Sequence, residues 1–241
     1  MTLHDEARAV AQRYARRAAG DRYSPFKPDV WQTLQERQRA MLALLARAGL
    51  HDAAALCVTE VGCGAGGNLL ELLRLGFAPE HLTGVELLAE RHAHARRMLP
   101  APVTLWLGDA LQAPLADASQ DLVLQATVFS SLLDDVYQQR LAEAMWRWLK
   151  PGGAVLWYDF VIDNPRNRDV RGVPMARVRA LFPQGRISRR RVTLAPPLAR
   201  AVTSVHPALY TVFNAVPLLR THILALIVKA TDAAPSLDHG Q

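Results

Sequence analysis

The sequence predicts an α/β protein built around one mainly parallel β-sheet with helices on both faces. Three observations support this. The spacing of apolar residues switches repeatedly between a period of two and a period near 3.6 along the chain. Strands that alternate with helices need crossover connections, and parallel sheets are built from those. The strand segments are also nearly continuous in apolar residues, as strands buried on both faces must be. With 241 residues, half of them apolar, the chain is long enough for one large domain with additions.

The elements follow in order. Residues 1–50 are expected to form a helical cap, with a long amphipathic helix from Trp31 to Gly49 behind a Pro-rich stretch. The domain proper, 51–241, opens with a strand in "ALCVTEVG", residues 55–62. A helix in "GNLLELLRLG" follows, with Gly76 as a natural stop. "HLTGVEL" is the second strand, "AERHAHARRML" a helix ended by Pro100, "VTLWLGD" the third strand and "DLVLQATVF" the fourth. The next helix has Asp134 or Asp135 at its N-cap and runs into a K-P-G-G turn, and "AVLWYDFV", 154–161, is the fifth strand. "MARVRALFP" is a helix opened by Pro174. "RRRVTLAP" and "HILALIVKA" read as two more strands, separated by a helical insertion over 197–220. An insertion of that length is often functional.

Several function classes are disfavoured at this level. The N-terminus has no secretory core, and the most apolar stretch is interrupted by Asn214, Pro217, Arg220 and His222. A cytoplasmic chain without a transmembrane helix is therefore expected. Two cysteines, Cys57 and Cys63, are too few for a metal framework, and no metal is expected. The net charge of +6 is concentrated: residues 161–200 hold ten arginines and two aspartates. Such a segment suits an anionic substrate, a nucleic acid or an anionic membrane surface, or is simply a solvated face.

The chemistry centres on "TEVGCGAGGNLL", Thr59 to Leu70, which holds two overlapping patterns. Gly62, Gly64 and Gly67 spell the G-x-G-x-x-G of dinucleotide sites, while Glu60 with Gly62, Gly64 and Gly66 spells E-x-G-x-G-x-G. Glycines in a strand-to-helix turn let a ligand approach the backbone, whichever ligand it is. Glu60 weighs the choice, because a carboxylate there repels a pyrophosphate. It suits S-adenosylmethionine (SAM), which carries an ammonium and a sulfonium. Glu86 can accept from ribose hydroxyls and Asp109 from an adenine amino group.

With these residues in place the chain resembles the class I SAM-dependent methyltransferases, over roughly Ala55 to Val161. "EVGCGAGG", "GVE", "GDA", "DLVLQATVFSSLLDD" and "WRWLKPGGAVLWYDF" look like successive motifs of that family. The resemblance implies a Rossmann-like sheet of seven strands with the last inserted antiparallel. It implies SAM as cofactor, with S-adenosylhomocysteine as product. The implied cofactor contacts are Glu60, Gly62, Gly64, Gly66, Glu86, Asp109, Ala110 and Gln125.

The acceptor is read by exclusion and from one loop. The fourth strand ends in "QATVF", without the Asn/Asp-Pro-Pro-aromatic stretch of base amino-methyltransferases and without a cysteine for C5 methylation. Asp159, at the end of the fifth strand, is expected to face the cleft as base or orienter, with His206 and His222 as alternatives. Tyr158, Asn164, Arg166 and Arg171 are expected to touch the acceptor; the resemblance implies an N-terminal segment that closes over the cofactor through Tyr14, Tyr23 and Phe26, with core or surface packing as the alternative role for these three. The latter part of the chain resembles bacterial methyltransferases of polysaccharide and secondary-metabolite clusters. That resemblance implies O-methylation of a sugar or other small natural-product hydroxyl. Two alternatives stay open: an RNA methyltransferase using the arginine-rich 161–200 segment, and a non-catalytic SAM-binding protein of membrane surfaces. Oligomeric state is not encoded in any feature of the sequence.

Overall fold

A computed structural model describes residues 3–16, 24–163, 165 and 167–231. Helices α1 (Leu3–Ala15) and α2 (Pro28–Arg47) precede a seven-stranded sheet. The sheet is made of β1 (Val58–Val61), β2 (Leu82–Glu86), β3 (Thr104–Leu107), β4 (Gln120–Ala126), β5 (Leu149–Phe160), β6 (Arg186–Leu194) and β7 (Arg220–Val228). Its order is β3-β2-β1-β4-β5-β7-β6. Pairs among β1 to β5 are parallel, and β7 is antiparallel to both of its neighbours. The strand order reverses between β1 and β4, so a crevice opens beyond their carboxyl ends.

The crossovers are α3 (Gly67–Arg74), α4 (Ala89–Met98), α5 (Asp135–Trp148) and α6 (Met175–Leu181). Between β6 and β7 lie α7 (Pro196–Val205), α8 (Leu209–Asn214) and a 3-10 turn over Pro217–Leu219. Asp134 caps α5 by accepting from the amides of Val136 and Tyr137. Pro28 stands in the first turn of α2, where its missing N–H costs nothing.

Strand alternation divides the core into two layers. Along β5, Ala154, Leu156 and Tyr158 face α2, α3 and α4, whereas Val155 and Trp157 face α5, α6 and α1. Three boundaries differ from the sequence expectation for identifiable reasons. The K-P-G-G turn is absorbed into β5 as an irregularity opposite Gln120 and Leu122, with Gly152 at φ 82°. β6 starts at Arg186 because its pairing continues down to Val228 of β7. The long N-terminal helix begins three residues earlier than Trp31, since Pro28 starts it.

Candidate functional site

The rim beyond β1, β2 and β4 is built by backbone conformation first. Gly62, Gly64 and Gly66 hold φ of 67°, 58° and 86°, in the left-handed region that glycine enters without a Cβ clash. Gly67 has no such angle and starts α3. The glycines under conformational demand are thus those of the E-x-G-x-G-x-G pattern. A Cβ on Gly62 would lie 2.5 Å from Val128, and one on Gly66 would lie 2.9 Å from Leu99. A Cβ on Gly64 would meet nothing within 4 Å, so the crest of the loop faces open space.

Glu60, at the end of β1, is fully buried. Its Oε1 accepts from Asn68 Nδ2 at 2.5 Å, and its Oε2 has no partner among the described residues. Burial pushes its pKa up to about 8, against the Asn68 hydrogen bond and the nearby Arg37 charge. Asn68 is itself held by Arg37 of α2, which donates to its Oδ1 at 2.6 Å and pairs with Glu71 at 3.3 Å. Glu86 accepts from the amides of Gly64 and Leu88, both at 2.8 Å, so it braces the glycine loop from β2. Asp109 caps the turn at Ala110 through Leu111 N and also accepts from Tyr137 Oη. Burial and then Asp109 push the Tyr137 phenol up, which keeps it a donor.

Other expected site residues are placed differently. Gln125 is fully buried, with its amide spent on Tyr158 O and Val128 N, so it fixes the loop after β4 rather than facing the crevice. Asp159 lies on the opposite face of β5 from Tyr158, fully buried, and accepts from the amides of Ser130 and Phe160. Burial pushes its pKa up to about 7 against those bonds. The expectation that it faces the cleft is corrected by strand alternation: one residue along β5 reverses the side chain. Arg171 pairs with Asp135 at the start of α5, away from Tyr158. His206 is exposed at the end of α7 and accepts from Ala208 N. Asn164, Arg166 and Tyr23 lie outside the described residues. Cys63 is buried, and burial pushes its thiol up, so it is not an activated nucleophile.

Tyr158 is the centre of a second cluster. Its hydroxyl pairs with Thr193 Oγ1 at 2.9 Å, and its carbonyl accepts from Thr127 N at 2.8 Å. Both threonines are β-branched residues in the left-handed region, at φ 64° and 59°. Backbone strain of this kind concentrates at functional sites. His222, opposite Phe160 on β7, stacks on the Tyr158 ring at 5.0 Å, and the Arg37 guanidinium lies 5.2 Å from the same ring. Burial, then Arg37, pushes the His222 pKa down to about 4, so the ring is neutral at ordinary pH. Arg37, Met41, Asn68, Leu156, Tyr158 and Leu224 line a narrow slot between α2, α3 and the sheet. Arg37, Asn68, Tyr137, Thr127 and Thr193 were not singled out from the sequence; only Asn68, directly after the glycines, carried a local signal.

The loop after β4 is clamped from outside by α1. Glu6 accepts from Leu133 N and from Arg13, and Arg13 donates to Ser131 O. Tyr14 lies under the Arg91 guanidinium, 4.4 Å from ring centroid to charge, whereas Phe26 is almost fully exposed.

These residues fit SAM. The unpartnered Glu60 oxygen suits an ammonium, and the open crest at Gly64 admits a ligand against the backbone.

Comparison with known proteins agrees. Residues 58–153 match the methyltransferase domain family. The chain is 36% identical over 134 residues to trans-aconitate 2-methyltransferase of Azoarcus sp., covering 56% of this chain and 48% of that protein. It is 32% identical over 126 residues to sterol 24-C-methyltransferase of Yarrowia lipolytica, covering 47% and 31%. Against a tRNA N(3)-methylcytidine methyltransferase of Schizosaccharomyces pombe the figures are 28% over 118 residues, 46% and 38%. The chain thus spans at most about half the length of these curated relatives. A SAM-dependent methyltransferase structure from Archaeoglobus fulgidus superposes with a TM-score of 0.57 at 14% identity, over 82% of this chain and 96% of that one. The fold is the one seen in SAM-dependent methyltransferase structures, and residues 58–153 match the methyltransferase domain family in sequence.

Two predictions follow from the loop. Gly64→Ala is expected to weaken binding of S-adenosylhomocysteine at least about tenfold while costing about 1–2 kcal/mol of stability, the left-handed penalty alone. Gly62→Ala, which also collides with Val128, is expected to cost more stability than that. Titration calorimetry and urea unfolding read the two effects. Glu60, buried and protonated, favours the folded state fully below its unfolded value of 4.5, and this contribution is lost as pH rises through about 8. Glu60→Gln is therefore expected to flatten the fall in thermal midpoint between about pH 5 and pH 9. The part due to Asp159, raised to about 7, is expected to remain.

Proposed function

We propose that this chain is a SAM-dependent methyltransferase that methylates a hydroxyl of a small natural-product acceptor, glycosylated acceptors included. The observation that carries the cofactor half is the buried Glu60 carboxylate with one oxygen unpartnered beside the open Gly64 crest. Glu60, Gly62, Gly64 and Gly66 would hold the amino-acid end of SAM, Glu86 the ribose, and Asp109 with Ala110 the adenine. Bound there, SAM supplies a methyl group already activated on a sulfonium.

The chain's own contribution is then alignment and proton handling. The slot beside Tyr158 is mostly aliphatic, with Met41, Leu72, Leu124, Leu156 and Leu224 in its lining, which favours an acceptor with an apolar body over a free sugar. Tyr158, fixed by Thr127 and Thr193, orients the acceptor at the polar end. His222 is neutral above about pH 4, and its Nδ1 is paired with Thr221 Oγ1. Its Nε2 is the proton acceptor we assign to the hydroxyl, the role that sequence alone gave first to Asp159. Asp159 acts at one remove, by holding the Ser130 amide and with it the loop after β4. An RNA acceptor has less support, because β6 offers no aromatic side chain for base stacking beside its four arginines.

Calorimetry is expected to detect S-adenosylhomocysteine and no NAD. If the ligand ammonium meets an ionised Glu60, binding at pH 7 releases about one proton, visible as a dependence of the heat on buffer ionisation enthalpy, and Glu60→Gln abolishes that dependence. Preferential binding of NAD overturns the cofactor assignment. With a hydroxylated acceptor found by mass-detected methylation of a compound panel, His222→Gln is expected to lower turnover about 10²–10⁴-fold. Its affinity for S-adenosylhomocysteine is expected to stay within about twofold. Full turnover by that variant removes His222 as the base.

A further inference from the structure

We propose that the tip formed by α7, α8 and the turn 217–219, together with the entry to α2, docks on an anionic lipid bilayer and admits a membrane-borne amphiphile to the slot beside Tyr158. The acceptor class rests on the methyl-transfer reading above; the docking does not.

Exposure is the first observation. Residues 201–219 contain no Asp, Glu, Lys or Arg. From Ser204 to Leu218 only Leu209, Tyr210 and Asn214 are not exposed, and Val205 (77%), Val212 (62%) and Leu218 (84%) stand nearly free in water. Phe213 and Val216 are exposed as well. Uncharged apolar surface gathered at one end of a monomer marks an interaction site, whereas scattered single residues do not. The start of α2 adds Phe26 (96%) and Trp31 (44%), and it is tied to the tip by Thr33 Oγ1 and Tyr210 Oη at 3.1 Å.

Charge chooses the occupant. From Val170 to Thr231 the chain holds nine arginines, one lysine and no acidic residue. Arg200 on α7 and Arg191 at the end of β6 are exposed beside the tip. Apolar side chains that enter the acyl boundary, with arginines at headgroup level, are what an interfacial membrane contact requires. Among the described residues no helix is long and apolar enough to cross a membrane, so contact would be from one side.

The tip is wired to the slot. Tyr210 of α8 donates to Glu36 at 2.8 Å, Glu36 accepts from Thr193 N at 3.0 Å, and Thr193 Oγ1 meets Tyr158 Oη. The surface proposed to touch lipid is therefore three hydrogen bonds from the residue proposed to orient the acceptor. An amphiphile with its tail in the bilayer would present its head there.

Vesicle flotation of the full chain tests this. Flotation is expected with phosphatidylcholine vesicles carrying about a third phosphatidylglycerol. It is expected to be weak with phosphatidylcholine alone and to fall at high salt. Val212→Asp and Leu218→Asp, both on exposed positions, are expected to lower the bound fraction at least about tenfold, and Arg200→Glu to erase the preference for anionic vesicles. All three are expected to bind S-adenosylhomocysteine as the parent does. No flotation, or unchanged flotation of Leu218→Asp, overturns the proposal. So does RNA binding that displaces the vesicles and ignores Leu218→Asp, or self-association that Leu218→Asp abolishes without any vesicle binding. Calorimetry on the same preparation separates the two readings. Loss of cofactor binding with flotation intact removes only the acceptor class, and cofactor binding without flotation removes the docking.

Discussion

A fully buried carboxylate with half of its hydrogen bonds made organises the cofactor end of this molecule. Glu60 sits between β1 and α3, where no water reaches it. Leaving a buried carboxylate oxygen unpaired costs free energy that a purely structural residue would not retain. The surrounding groups limit that cost without cancelling it. Asn68 satisfies one oxygen, Arg37 orients Asn68, and Glu71 shares the Arg37 charge so that the guanidinium is not drawn onto Glu60 itself. The result is a carboxyl group whose proton is favoured by burial and which a neighbouring cation would ionise. The glycine loop follows from the same requirement. Its left-handed turns at Gly62, Gly64 and Gly66 bring the backbone over Glu60 while leaving the crest open.

The cluster around Tyr158 depends on a different device. Thr127 and Thr193 are held in a backbone region that β-branched residues avoid, at about 1–3 kcal/mol each. Both bond to Tyr158, one through its carbonyl and one through its hydroxyl. Such strain persists only where the surroundings over-determine it. Here Asp159 pins Ser130, Gln125 pins Val128, and α1 pins Ser131 and Leu133 through Arg13 and Glu6. The expected cleft base is thus one of the fasteners of the loop on which the tyrosine rests.

The legible and illegible parts of the sequence divide by distance along the chain. The strand-turn-helix around Glu60 was readable because its chemistry lies within ten residues, and glycine spacing reports backbone demand directly. The five parallel strands were readable from period, and the cap of α5 to within Asp134 or Asp135; the antiparallel position of the last strand came only from the family resemblance. Arg37 was not, since nothing near it in sequence announces that it spans to Asn68 and Tyr158. Asp159 was misplaced because an acid at a strand end was read without its face. Tyr158 in the α2 layer already implied that its neighbour points to the α5 layer. Asn164 and Arg166, which lie outside the described residues, fall in the loop on which the acceptor expectation leans most.

The two ends of the site also differ in field, and this constrains how they can work together. Three acidic groups, Glu60, Glu86 and Asp109, gather at the carboxyl ends of β1, β2 and β3. Past residue 169 the described chain has no acid at all, and its cations gather on β6 and around the tip. Between the two stands Arg37, which lowers the basicity of His222 from one side and tempers Glu60 from the other. Burial first, and then that charge, keeps the imidazole neutral and makes a lasting imidazolium unfavourable. If His222 takes the acceptor proton as proposed, that step would have to be coupled to methyl transfer and followed by loss of the proton. The ring is only partly exposed, stacked on Tyr158 and edge-on to Phe160, with its Nδ1 against Thr221 Oγ1 at the start of β7.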